Sequence, residues 1–156
     1  MKTRIMTAAV AIPALLVLLL AAPKFIVALV WGAMMVIAVY EMLYRTGLIK
    51  ENRLVIYSMV MAFAVTMWSY LGAVHALGLI GLLVFVALMF SEMMISHVKI
   101  TFDKICMCLV AGLLIPFLLS SLIRILMMRI GRYVILIPFI IAFASDSGAY
   151  FVGCAI

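Results

Sequence analysis

The sequence predicts an all-α, polytopic integral membrane protein with about six transmembrane helices, and three observations carry that prediction. Hydrophobic residues make up 71% of the chain and charged ones only 10%, against roughly 45–50% apolar usage in soluble domains. The mean hydropathy is +1.48. The apolar residues fall into long runs with basic residues at their ends, the pattern that topology and anionic headgroups select. The 156 residues hold about six spans at ~20 residues each. That leaves one transmembrane domain, 1–156, and no room for a soluble one. The net charge of +6 is therefore read as topological, and nucleic acid is excluded as a partner.

The first run, Ile5 to Ala22, follows Lys2 and Arg4. It is longer than the about 7–15 residues of a cleavable signal, and Leu20 stands where a small residue is wanted. It reads as an uncleaved span. Pro23 and Lys24 separate it from a second run, Phe25 to about Leu43, and a polar stretch follows from Arg45 to Arg53. Leu54 to Leu71 is the third span, with Trp68 and Tyr70 as interface anchors. A turn at Gly72 to His75 leads into a short fourth run, Ala76 to Phe90. Ser91 to Lys104 reads as a loop or interfacial segment, with Glu92, His97 and Asp103 solvated in it. Ile105 to Ile123 is the fifth span, kinked at Pro116. The basic stretch Arg124 to Arg132 precedes the sixth, Tyr133 to Ile156.

Lysines and arginines in alternate loops set the orientation. With the N-terminus in the cytoplasm, Lys2, Arg4, Arg45, Lys50, Arg53, Lys99 and Lys104 lie inside, and Lys24, Arg124, Arg129 and Arg132 lie outside. Seven against four favours both termini inside. The Arg124–Arg132 cluster is on the wrong side of that count, which points to an incomplete span or to a structural or headgroup-binding duty.

Most polar and soft side chains have ordinary explanations. Cys106 and Cys108 lack the spacer of a zinc or redox pair. The 14 methionines are scattered through the apolar runs as filler. Glu41 stands four residues before Arg45, the spacing of a helical ion pair. His75 reads as a headgroup contact.

Asp146 differs, being the only acid in the last fifty residues and lying within an apolar run. A carboxylate at bilayer depth costs about 2.5–3.5 kcal/mol on insertion scales, so it is rarely kept without a use. On a helix, Asp146 and Tyr150 share a stripe, and Ser145, Ala149 and Gly153 form a small-xxx-small stripe beside it. Chemistry alone leaves two roles open: a site for a metal ion or polar substrate, or packing glue between helices. The chain stops at Ile156 without a charged flank, as if a functional segment were cut partway.

The segment Asp146-Ser147-Gly148-Ala149-Tyr150-Phe151-Val152-Gly153 resembles the Asp-(Ser/Thr)-Gly-Ala-Tyr-x-x-Gly segment of the phosphatidate cytidylyltransferases, the CDP-diacylglycerol synthases. Lys2-Thr3-Arg4-Ile5 with Ala11-Ile12-Pro13, and Tyr40-Glu41, are similar to less specific parts of that family. The resemblance implies a multi-pass protein of a bacterial inner membrane, with its active-site side cytoplasmic, that takes CTP and phosphatidate to CDP-diacylglycerol and pyrophosphate for phospholipid biosynthesis. It implies Mg²⁺ as cofactor, Asp146 as a catalytic and metal-site acid, and Ser147, Gly148 and Tyr150 as substrate-binding residues. Membrane lipids and a second copy of the chain are the other partners expected. Family members continue with a Gly-Lys-x-Lys-Leu-Ala-Pro loop, a Lys-Thr-x-Glu-Gly segment and a C-terminal signature rich in Lys, Asp, His and Gly. This sequence contains none of them, so it reads as the N-terminal part of a truncated helical bundle, inactive alone. The rival reading is a non-catalytic membrane protein or transporter fragment that uses Asp146 as an ion or proton relay.

Overall fold

The computed structural model describes residues 2–72, 75–96 and 100–155; of residues 2–11, 75–77, 151, 154 and 155 it describes the backbone only. The points made above about Ile156, His97 and Lys99, and about the side chains of Lys2, Arg4 and His75, lie outside the described residues. Everything regular in it is helical, with no strand among the described residues.

The helices are α1 (Lys2–Ala21), α2 (Lys24–Tyr40), α3 (Asn52–Leu71) and α4 (His75–Ile95), then α5 (Phe102–Leu109), α6 (Ile115–Leu119), α7 (Ser121–Met127), α8 (Gly131–Val134) and α9 (Leu136–Ala155). Two π-helical turns extend this set: Glu41–Arg45 prolongs α2, and Val110–Leu114 joins α5 to α6. Among the described residues, five helical stretches are long and apolar enough to cross a membrane: Lys24–Arg45, Asn52–Leu71, Gly78–Ile95, Phe102–Met127 and Gly131–Tyr150. The described apolar part of α1, Ile12–Ala21, is shorter. The protein is thus an all-α, polytopic membrane protein.

Boundaries differ from the sequence reading where polar residues find partners. The fourth run does not stop at Phe90. α4 continues to Ile95 because Ser91 Oγ turns back to the Leu88 carbonyl at 2.9 Å and Glu92 is buried among protein groups. The second run continues through its π turn to Arg45, where Thr46 Oγ1 donates to the Met42 carbonyl at 2.6 Å. The expected Glu41–Arg45 pair forms at 3.1 Å with both side chains well exposed. Such a pair contributes little.

Contacts group the residues into two compact units, Phe25–Ile123 and Met1–Lys24 with Arg124–Ile156. In the first, one face of each helix supplies the core: Val39 and Leu43 from α2 and its π turn, Leu54 and Val65 from α3, Met89 from α4, Ile105 from α5. Lipid offers no hydrophobic drive for such packing, so close approach and hydrogen bonding carry it. Gly112, in the second π turn, lies so near α3 that a Cβ there would stand 3.0 Å from Ser58 Cα. Ser69 Oγ donates to Ser120 Oγ at 2.8 Å, and Ser120 Oγ donates to the Phe117 carbonyl at 2.7 Å. The kink expected at Pro116 is the π turn just before it, where the Ile115 N–H reaches back to the Val110 carbonyl. α3 ends on Gly72 in the left-handed region, φ +62°, with its N–H on the Trp68 carbonyl at 3.1 Å. That conformation suits glycine best.

In the second unit, Arg132 of α8 caps the end of α1. Its Nη1 donates to the Leu20 carbonyl at 2.7 Å and its Nη2 to the Ala22 carbonyl at 3.1 Å. The last carbonyls of a helix lack intrahelical donors and carry partial negative charge, so a guanidinium fits there. Arg132 therefore has the structural duty that its place in the charge count suggested.

Candidate functional site

Asp146, Ser147, Gly148 and Tyr150 all lie on α9, one continuous helix, with Asp146 and Tyr150 one turn apart. All four are exposed, and Tyr150 keeps 47% of its surface. Apolar neighbours are bare as well, Ile140 at 63% and Ile141 at 62%. Beyond the adjacent residues and the helix's own backbone, no described atom comes within 4 Å of where a Cβ would stand at Gly148 or Gly153. The small-residue stripe thus presents open backbone, and α9 displays a carboxylate, a hydroxyl and a phenol along an uncovered helix. Chemically this is half a site: one acid with polar neighbours, on a surface that lipid would cover only at a cost.

A second polar group lies in the unit Phe25–Ile123, where the start of α3, the end of α4 and the start of α5 converge. Lys104 Nζ donates to Glu51 Oε1 at 2.7 Å, both side chains being mostly buried. That hydrogen bond, foremost, holds the Glu51 carboxyl below the ordinary carboxylate range. Glu51 Oε2 is buried and has no hydrogen-bond partner among the described residues. Glu92, only 9% exposed, accepts from Tyr57 Oη at 3.4 Å and faces Arg53 Nη1 at 3.7 Å on the same oxygen, Oε1. Glu51, Asn52, Arg53, Glu92 and Ser96 line a cavity of about 390 Å³.

The sequence reading left Glu92 in a solvated loop, and burial corrects that. The signal was present: Phe85, Met89 and Glu92 follow one another at i, i+4 and i+7 on α4, and the first two are core residues. A buried stripe that ends in an acid should have raised the question of its partner. Asp103, in contrast, stands exposed in the first turn of α5.

The profile described as "Cytidylyltransferase family" matches residues 2–156. The chain belongs to the cytidylyltransferase family. No curated protein and no solved structure matches it. Cytidylyltransferase membership agrees with the resemblance read on Asp146 to Gly153 and with the apolar helices of a membrane-bound family. The Mg²⁺ expected from the resemblance can be set against the residues present. That ion takes about six oxygen ligands in near-octahedral geometry, several of them water. Asp146 offers one carboxylate, and among the described residues no three His, Cys, Asp or Glu side chains come together as ligands. The described residues do not by themselves make a magnesium site.

Proposed function

We propose that this chain is the N-terminal membrane portion, one transmembrane domain, of a phosphatidate cytidylyltransferase. In the reaction a phosphatidate oxygen attacks the α-phosphorus of CTP, the bond to the β-phosphate breaks, and pyrophosphate leaves with the electron pair. The membrane setting suits that pairing, since the lipid acceptor stays in the bilayer while the nucleotide arrives from the cytoplasm. The observation that carries the proposal is the Asp146–Gly153 segment, a polar stripe on the uncovered face of α9, in a chain that the cytidylyltransferase family matches throughout. In this reading Asp146 supplies one carboxylate to the reacting site, Tyr150 orients it from one turn away, and Ser147 and Gly148 let substrate phosphate approach the backbone. These 156 residues hold no lysine after Lys104 and no acid after Asp146. In this reading the charge that stabilises phosphoryl transfer is completed by segments like those of other family members.

A chimera tests this: the 156 residues replace the matching part of an active family member, and CDP-diacylglycerol formation from labelled CTP and phosphatidate is followed. The chimera turns over and the 156-residue chain alone does not. Asp146→Asn in the chimera lowers turnover by at least about 100-fold at unchanged expression, as expected when charge is lost and shape kept. An Asn variant with near-normal turnover would reduce Asp146 to packing glue, where the replacement costs about 1 kcal/mol or less.

A further inference from the structure

Two cavities in the unit Phe25–Ile123 share Asn52 in the first turn of α3. One is the polar cavity lined by Glu51, Arg53, Glu92 and Ser96. The other, about 340 Å³, is lined by Tyr40, Tyr44, Asn52, Val55, Ile56 and Met59. Tyr40 and Tyr44 stack with ring centroids 5.3 Å apart, and both remain about two-fifths exposed, as does half of Ile56. Tyrosines above aliphatic side chains at a helix end mark the level where headgroups give way to hydrocarbon. Asn52 therefore lines both a polar cavity and a more apolar one near that level.

The lining charges decide what fits. Arg53 is 78% exposed, and its 3.7 Å separation from Glu92 is longer than the 2.7–3.2 Å of an N–H···O hydrogen bond. Its donors are thus available to a phosphate, which a guanidinium binds in a fork. Beside it, Glu51 and Glu92 present two carboxylates. An anionic headgroup would meet those carboxylates, while a cation without phosphate would meet Arg53 and Lys104. A headgroup that carries both a phosphodiester and an N–H-bearing ammonium meets neither conflict. We infer that these cavities bind a zwitterionic aminophospholipid, with its phosphodiester on Arg53 and Asn52, its ammonium at Glu51 and Glu92, and an acyl chain along Tyr44, Ile56 and Met59. This site shares no residue with the α9 segment, and the inference stands apart from the cytidylyl-transfer proposal.

The test is lipid retention by native mass spectrometry, with the chain presented an equimolar mixture of phosphatidylethanolamine, phosphatidylcholine, phosphatidylglycerol and phosphatidic acid of matched acyl chains. Phosphatidylethanolamine is retained over each of the others by at least about fivefold, the scale of one charge-assisted hydrogen bond. Phosphatidylcholine, which lacks the ammonium N–H, separates hydrogen bonding from charge. Glu51→Gln and Glu92→Gln each bring the ratio toward one, Arg53→Gln lowers retention of all four lipids, which share the phosphate, and Asp103→Asn, outside both cavities, changes neither. If Glu51→Gln fails to fold for want of its pair with Lys104, Glu92→Gln decides the preference and the exposed Arg53→Gln the phosphate contact. Equal retention of all four lipids, preference for phosphatidylglycerol or phosphatidic acid, a preference that survives Glu92→Gln, or retention unchanged by Arg53→Gln overturns the site. None of these outcomes bears on Asp146.

Discussion

A carboxylate at the end of a membrane helix keeps its charge when a cation stays beside it, and for Glu51 that cation is Lys104 at 2.7 Å. The pair lowers the Glu51 pKa from its ordinary 4.5. Stability gained this way is fully present above that ordinary value and is lost as pH falls through the depressed one. Thermal unfolding in detergent should hold steady down to about pH 5 and then fall more steeply for wild type than for Glu51→Gln. Parallel curves for the two would show that the pair does not feel the pH. Residues at this scale were legible in uneven measure. Asp146 announced itself as a lone acid in an apolar run. Glu51 and Lys104 did not, because 53 residues separate them and only the folding of α3 against α5 brings them together.

The elements were legible where composition alone decides them: the second, third and fifth apolar runs each lie within a candidate span, and the fourth lies within α4. The π turn at Val110–Leu114 was not, because an i→i+5 bond is a response to neighbours and leaves no periodic mark in the sequence. Pro116 foretold a bend, but where the bend falls depends on Gly112 settling onto Ser58. Two glycines that look alike in the sequence should thus behave differently. Gly112→Ala forces a methyl against the Ser58 backbone and should destabilise by about 1–3 kcal/mol. Gly81→Ala, in α4 with nothing within 4 Å of the new carbon, should be neutral or stabilise by about 0.5–1 kcal/mol, as expected for a helix interior. Detergent unfolding midpoints compare the two directly, and equal effects would contradict the close approach.

For the whole molecule, helices fix parity more firmly than charges do. The candidate spans Asn52–Leu71, Gly78–Ile95, Phe102–Met127 and Gly131–Tyr150 separate Lys50 from Gly153. Four crossings return the chain to its starting side. In a background without Cys106, Cys108 and Cys154, single cysteines at Lys50 and Gly153 should react with a membrane-impermeant thiol reagent from the same face. Labelling from opposite faces would mean that one of these stretches stops short of crossing. The count of Lys and Arg alone gave the same parity but rested on a cluster that pulled the other way. The structure explains part of that cluster by placing Arg132 on helix carbonyls.

That placement also has a consequence in time. Arg132 lies 112 residues after Leu20, and a ribosome adding about 5–20 residues per second needs about 6–22 s to cover that distance. Throughout that interval the last carbonyls of α1 lack the Arg132 guanidinium. Hydrocarbon would leave them unsatisfied at a cost of several kcal/mol each, so the nascent α1 must hold its C-terminal end in the wet interfacial layer until α8 is made. The cap is then a deferred step of assembly, closing α1 with a residue made 112 positions later.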